Sequence, residues 1–237
     1  MTGALAMVKC LEQEGVRVAF GYPGAAICPF YDALINSRIH HVLVRTEQNA
    51  AHAASGYARI SGGPGVCIAT SGPGATNLLT GIASAYMDSI PMVVITGQVR
   101  SDLLGRDVFQ EADITGAAEP FTKHSYLVKN ANDLPRIFKE AFHIATTGRP
   151  GPVLIDVPID MQQASVADFD YSIPIDIPGY KPRTRGHSLQ IKKAVEALTD
   201  SRRPVICAGG GVFSAHACNE LRSFAEQCDI PVICTMM

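Results

Sequence analysis

The chain has 237 residues, with 20 Lys and Arg against 22 Asp and Glu and a formal net charge of −2. At 47% hydrophobic and 18% charged residues it can build a packed core, and it has too few charges for a disordered chain. The balanced charge speaks against nucleic acid or an anionic membrane as an obligatory partner, and no run of 18 apolar residues is available to span a bilayer.

The amino terminus, Met1-Thr2-Gly3-Ala4, lacks the basic and apolar regions of a signal peptide, so the expected compartment is the cytoplasm. The seven cysteines are odd in number, scattered and free of any CxxC pair, which predicts reduced thiols and no zinc. Cys67, Cys207 and Cys234 lie in apolar runs and are expected inside, as small hydrophobes.

Helix and strand patterns alternate from the start. Thr2 is placed to cap a helix to about Glu14, with Leu5, Val8 and Leu11 on its apolar stripe and Gly15 ending it. Val16–Phe20 predicts a strand, then Gly21-Tyr22-Pro23-Gly24 a turn, Ile27–Ile35 a helix and His41–Val44 a strand. The Ala-rich stretch Glu47–Ile60 predicts a helix, and the apolar run Gly65–Thr70 a buried parallel strand. A helix from Ala75 to Met87, a strand at Pro91–Thr96, a polar loop with Gly105–Asp113, a strand at His124–Val128, a helix over Ala131–Thr147 and a strand at Val153–Val157 follow. This predicts a three-layer α/β/α domain over residues 1–163 around a mostly parallel six-stranded sheet. The Pro- and Gly-rich stretch 164–187 reads as a linker. Residues 188–237 read as the start of a second α/β domain that stops directly after a strand pattern, so a fragment of a longer protein is expected.

Four segments each follow a predicted strand: Gly21–Ala26, Thr46–Ala51, Thr70–Asn77 and Gly105–Asp113. In a parallel sheet they converge at the carboxyl ends of the strands, where open α/β sheets bind ligands. Gly72-Pro73-Gly74 is either a cradle with free backbone N–H groups beside Ser71, Thr76 and Asn77, or a tight turn needing glycine dihedrals. Glu47 is either a first-turn acid favoured by the helix dipole or a carboxylate set to meet a ring nitrogen. Gly209-Gly210-Gly211 has the position of a dinucleotide loop, but Ser214 stands where its third small residue belongs. His40, His41, His52 and His124 have no ligand partner at metal spacing, so no metal site is expected within this sequence.

Taken together, Phe20-Gly21-Tyr22-Pro23-Gly24, Glu47-Gln48, Thr70–Asn77, Ile95–Val99, Phe109-Gln110-Glu111-Ala112-Asp113 and Thr147–Val153 resemble the acetolactate synthase (acetohydroxyacid synthase) large-subunit family of thiamine-diphosphate enzymes. The resemblance covers essentially the whole chain, and Phe109–Asp113 distinguishes the synthase from the wider superfamily. It implies condensation of two pyruvates to 2-acetolactate with loss of CO2, and of pyruvate with 2-ketobutyrate, in branched-chain amino acid biosynthesis. Residues 1–163 would be the pyrimidine-binding domain and residues 188–237 the start of a central, FAD-associated domain. Mg2+ would be held by a carboxyl-terminal domain absent from this sequence, since no Gly-Asp-Gly occurs in it, and FAD would take no redox part. The fragment alone would be inactive, and the full-length protein a homodimer or homotetramer with a small regulatory subunit among its implied partners.

By the same resemblance Glu47 is the catalytic residue, bonding N1′ of the aminopyrimidine and supporting loss of the thiazolium C2 proton. Tyr22, Pro23, Gly24, Gly72, Pro73, Gly74 and Asn77 would bind the cofactor, and Ala25, Phe109, Gln110 and Lys123 would line the substrate channel. Ala25 stands where the family usually has glycine, and Thr46 where histidine is common. Two alternatives stay open: another thiamine-diphosphate 2-oxo acid decarboxylase or carboligase, of the catabolic acetolactate synthase type, and a nicotinamide-dependent oxidoreductase. The second would need an acidic residue ending the strand after the glycine loop, where the chain has Cys-Thr-Met-Met.

Overall fold

The computed structural model describes residues 1–236. In chain order the first part runs α1 (Gly3–Gln13), β1 (Val18–Gly21), α2 (Cys28–Leu34), β2 (His40–Leu43), α3 (Glu47–Ser61), β3 (Gly65–Ala69), α4 (Pro73–Asn77), α5 (Leu79–Met87) and β4 (Met92–Gln98). It continues through α6 (Ile114–Ala118), β5 (His124–Leu127), α7 (Leu134–Thr146), β6 (Pro152–Pro158) and α8 (Ile159–Gln163). The six strands form one sheet in the order β2-β1-β3-β4-β6-β5, every pair parallel. Connections leave β1 toward β2 and return past it to β3, so the β1–β3 crevice is a topological switch point.

The period-two alternation of the central strands sorts the core into two layers. Val66 and Ile68 of β3, Val93 and Ile95 of β4, and Val153 and Ile155 of β6 bury against Met7, Leu11, Phe30 and Phe138 from α1, α2 and α7. Cys67, Met92, Val94 and Leu154 point the other way, against Ala50, Ala51 and Ala54 of α3 and Ile82 of α5. The small residues of that second layer bring helices close. A Cβ at Gly81 would collide with the Ala51 Cβ, so α3 and α5 pack almost backbone to backbone. This close packing fixes where α3, and hence its first residue Glu47, starts.

Thr2 caps α1 by accepting a hydrogen bond from the Leu5 N–H at 3.3 Å, and Gly15, at φ +72°, releases the chain beyond it. Leu5 itself is 38% exposed, because Gly3, Ala4, Ala6, Met7, Val8, Cys10 and Leu11 form the buried face, whose centre lies about half a turn from position 5. The helix expected to begin at Ala75 begins at Pro73 and is interrupted at Leu78, whose N–H bonds back to Ala75 O at 3.1 Å, three residues away.

The chain folds into two compact units, with the boundary between Lys181 and Pro182. Residues 164–181, read from sequence as linker, therefore lie along the first unit. Val166 N–H bonds to Met1 O at 2.8 Å, and Phe169, Tyr171, Ile177 and Tyr180 pack on the layer of α1 and α7. Aromatic and branched residues spaced among the prolines give this segment enough apolar surface to bury.

The second unit, taken by itself, has α9 (Ser188–Asp200), β7 (Ile206–Ala208), α10 (Gly210–Ser214), α11 (Cys218–Cys228) and β8 (Val232–Cys234). β7 and β8 pair in parallel, with Ile206 opposite Val232. Cys207 and Cys234, expected inside, are exposed, since two three-residue strands paired with one another leave most of that ladder accessible. Cys10 and Cys67 are the buried thiols, and burial pushes the Cys67 thiol up to about 12.

Candidate functional site

The carboxyl ends of β1 and β3 build a cradle out of missing side chains. The turn after β3 is Ser71-Gly72-Pro73-Gly74, with Gly72 at φ +57°, a conformation that favours glycine. A Cβ at Gly74 would stand 2.8 Å from Thr70 Cγ2 and 3.3 Å from Glu47 Oε1. A Cβ at Gly24, in the turn after β1, would stand 2.5 Å from Thr70 Cβ. Thr70 is thus the hub on which both turns rest, and its Oγ1 accepts a hydrogen bond from the Ala26 N–H at 3.2 Å. Not every backbone donor of the turn is free, because the Gly74 N–H bonds to Ser71 O at 3.3 Å.

Glu47 opens α3 half-buried, with Asn77 Nδ2 donating to its Oε2 at 2.9 Å. That bond commits one carboxylate oxygen, and the other is the one nearest the Gly74 cradle. The loop Gly105–Asp113 closes the far side. Its Gln110, at φ +59°, lies with its carbonyl oxygen 2.7 Å from where a Cβ of Gly72 would be. The loop is folded on the Glu111 carboxylate, which accepts from the N–H groups of Gly105 and Val108, and the Gly105 bond above all holds that carboxyl below its usual range.

The structure therefore brings Gly24, Glu47, Gly72, Pro73, Gly74, Asn77 and Gln110 together, from four segments of sequence. Ala25 begins a 3-10 turn, Ala25–Ile27, that fits because Gly97 has no Cβ to strike Ala26 O. Tyr22, Pro23 and Phe109 are exposed at the rim, Phe109 by 87%.

Lys123, expected in the substrate channel, lies elsewhere. It precedes β5, its N–H bonds to Pro152 O at the start of β6, and its Nζ donates to Ile144 O, to Thr147 O at 2.7 Å and to Tyr180 Oη at 3.0 Å. Residues before a strand and residues after one sit at opposite ends of a parallel sheet, which puts Lys123 across the sheet from Glu47. Arg149, of the Gly148–Pro152 segment, sits before β6 and donates to Ser89 Oγ at 2.7 Å and Met87 O at 3.3 Å, closing the end of α5.

Two buried polar residues, Gln162 and Asp156, carried no expectation from sequence. Gln162 is fully buried, with Nε2 on Ala26 O at 2.8 Å and Val157 O at 3.0 Å, and its Oε1 finds no partner. Asp156 is 1% exposed and burial drives its carboxyl up to about 7, against the pull of hydrogen bonds from Thr96 and Gln98. A signal for it existed: it is the one charge in the apolar run Val153–Val157. Among the described residues no group of three or more His, Cys, Asp or Glu side chains is placed to hold a metal ion. No helix among them is long and apolar enough to cross a membrane.

A parallel sheet with a glycine-built cradle and a helix-borne carboxylate at its switch point is the architecture of the thiamine pyrophosphate enzymes, and the chain belongs to that family. Residues 1–117 match the family's N-terminal TPP binding domain and residues 191–237 its central domain. Over its full length the chain is similar to acetolactate synthase large subunits. It is 56% identical to the probable acetolactate synthase large subunit of Methanocaldococcus jannaschii across 239 aligned residues, 100% of this chain and 40% of that protein. It is 56% identical to the acetolactate synthase large subunit of Corynebacterium glutamicum, covering 38% of it, and 51% identical to that of Buchnera aphidicola subsp. Schizaphis graminum, covering 42%. The chain thus spans about two fifths of the length of the relatives it matches.

Proposed function

We propose that residues 1–163 form the pyrimidine side of a thiamine-diphosphate site, in a protein that condenses two pyruvates to 2-acetolactate with release of CO2. Pyruvate and 2-ketobutyrate would give acetohydroxybutyrate at the same site, as the first common step of branched-chain amino acid biosynthesis. The observation that carries the reading is Glu47, held by Asn77 at 2.9 Å with its other oxygen facing the Gly74 cradle. The end-to-end match to acetolactate synthase large subunits supports the choice of reaction.

The residues present suit an aminopyrimidine. A flat ring needs a surface without side chains, which Gly24, Gly72 and Gly74 supply around Thr70, and its N1′ needs a carboxyl group, which Glu47 Oε1 supplies. When bound, thiamine diphosphate supplies the electron sink for decarboxylation of a 2-oxo acid. The part of Glu47 is to hold a proton at N1′, and the part of Asn77 is to keep the carboxylate in one orientation. Tyr22 and Pro23 border the pyrimidine side, while Ala25, Phe109 and Gln110 line the approach of the 2-oxo acid.

For the whole protein, residues from 188 onward belong to the central domain, which would hold FAD without a redox role. Mg2+ and the diphosphate would be bound by chain outside these residues, and no step here rests on either. The assembly would be a cytoplasmic homodimer or homotetramer, with a small regulatory subunit as a further partner.

The test is Glu47→Gln in the full-length protein. Turnover should fall by roughly 10²–10⁴-fold, the range for a positioned proton-transfer group, and exchange of the cofactor's C2 proton should slow in parallel. Fold and cofactor affinity should persist, because the amide still reaches both the ring and Asn77. Normal exchange together with normal turnover would reduce Glu47 to an ordinary helix-start acid.

A further inference from the structure

A buried polar chain links β4 to β6 on one face of the sheet, the face of Val94 and Leu154. Thr96 Oγ1 donates to Asp156 Oδ1 at 2.6 Å, and Gln98 Nε2 donates to Asp156 Oδ2 and to Ala112 O, each at 2.9 Å. Gln98 Oε1 accepts from the Val99 N–H at 2.9 Å. Thr96, Gln98 and Asp156 are 0%, 2% and 1% exposed, and the β4–β6 register puts Thr96 directly opposite Asp156.

The polarity of this chain allows one arrangement. The Val99 N–H can only donate and the Ala112 carbonyl can only accept, so the Gln98 carboxamide cannot turn over. Its second Nε2 proton then requires an acceptor, and Asp156 is that acceptor. Every polar atom of the Gln98 side chain is satisfied, which is what makes a buried amide rigid.

The far end of the chain is the loop that carries Phe109 and Gln110. Ala112 lies between Glu111, whose carboxylate gathers the loop's own N–H groups, and Asp113, which caps α6 by accepting from the Gly116 N–H at 2.9 Å. The loop is thus tied internally, and the Gln98 bond ties it to β4. One residue before Glu111, Gln110 lies against Gly72.

We propose that Gln98 and Asp156 are positioning residues for the loop Gly105–Asp113: the buried carboxylate orients the Gln98 carboxamide, which holds the Ala112 carbonyl and so keeps Phe109 and Gln110 at the mouth of the Glu47 site. The proposal rests on the reading of Phe109 and Gln110 as channel residues. It predicts which replacements at 156 preserve the loop. Asn can accept from Gln98 through Oδ1 and donate to Thr96 Oγ1 through Nδ2, whereas Leu fills the space and accepts nothing.

Amide hydrogen exchange over residues 105–113, read by mass spectrometry on the chain without cofactor or substrate, tests this. Asp156→Leu and Gln98→Asn, the latter one methylene too short to reach both acceptors, should raise exchange in the loop by about tenfold, the factor one ordinary hydrogen bond is worth. Asp156→Asn should stay within about twofold of the unsubstituted chain. Unchanged loop exchange in folded Gln98→Asn, or equal loosening by Asn and Leu at 156, overturns the proposal. Should the variants not fold, the unsubstituted chain still decides. The Gln98 side-chain amide protons, followed by NMR, should exchange no faster than the loop amides, and exchange at the rate of a free glutamine overturns it. Because these readouts need no ligand, their failure leaves the thiamine-diphosphate reading intact. A loosened loop with unchanged pyruvate KM in the full-length protein would instead remove Phe109 and Gln110 from the channel.

Discussion

Asp156 gives the fold a pH dependence of determined sign. Burial, as the largest influence, raises its carboxyl from 3.8 to about 7, with Asp113 adding to the rise and hydrogen bonds from Thr96 and Gln98 opposing it. A carboxyl raised on folding keeps a proton that the unfolded chain releases. Its contribution to stability is therefore fully present below about pH 4 and is lost as pH rises through about 7. From about pH 5 to about pH 8 the loss covers roughly two pH units at about 1.4 kcal/mol each, or about 3 kcal/mol. Asp156→Asn removes the titration and keeps an acceptor for Gln98. Relative to the unsubstituted chain, the variant should gain about 3 kcal/mol across that interval, or about 6–12 °C in Tm for a chain of this size. Urea unfolding at several pH values measures the difference directly, with equal m-values as the check that both proteins unfold alike. Other titrating groups, such as Glu14 raised by burial and Asp160 lowered by bonds from Ser101, cancel in the comparison. Parallel pH profiles for the two proteins would refute the reasoning.

Gly74→Ala would put a methyl 2.8 Å from Thr70 Cγ2 and 3.3 Å from Glu47 Oε1. Chemical denaturation should show a loss of about 1–3 kcal/mol, and calorimetry on the full-length protein at least about a tenfold loss of thiamine-diphosphate affinity; unchanged affinity would remove Gly74 from the cradle. Lys123→Met gives up bonds to Ile144 O, Thr147 O and Tyr180 Oη, so unfolding should show a loss of about 1.5–3 kcal/mol while pyruvate KM in the full-length protein stays constant. A raised KM at unchanged stability would return Lys123 to the substrate channel.

Much of this protein was determined by local pattern. Runs such as Gly65–Ala69 and, Asp156 apart, Pro152–Pro158 are apolar on both faces and require a sheet covered on both sides, and they became wholly buried strands. Thr2 and Gly15 mark the limits of the first helix, because capping and left-handed turns are properties of single residues. Segments that follow strands end at one edge of a parallel sheet, so the meeting of Gly24, Glu47, Gly72 and Gly74 was legible from order alone.

Contacts between residues distant in sequence were decided by packing. Lys123 belonged with the site by motif but went to the opposite end of the sheet, since a residue before a strand cannot share an edge with residues after one. Residues 164–181 looked like a linker by proline content and became part of the first unit, because aromatic burial outweighed the absence of regular structure. Thr96, Gln98, Asp156 and Ala112 form one hydrogen-bonded chain only because the β4–β6 register sets Thr96 against Asp156 and the loop returns over Gln98. Nothing in the run Val153–Val157 says which donors will meet the one carboxylate in it. A buried charge must find partners, and the tertiary fold chooses them.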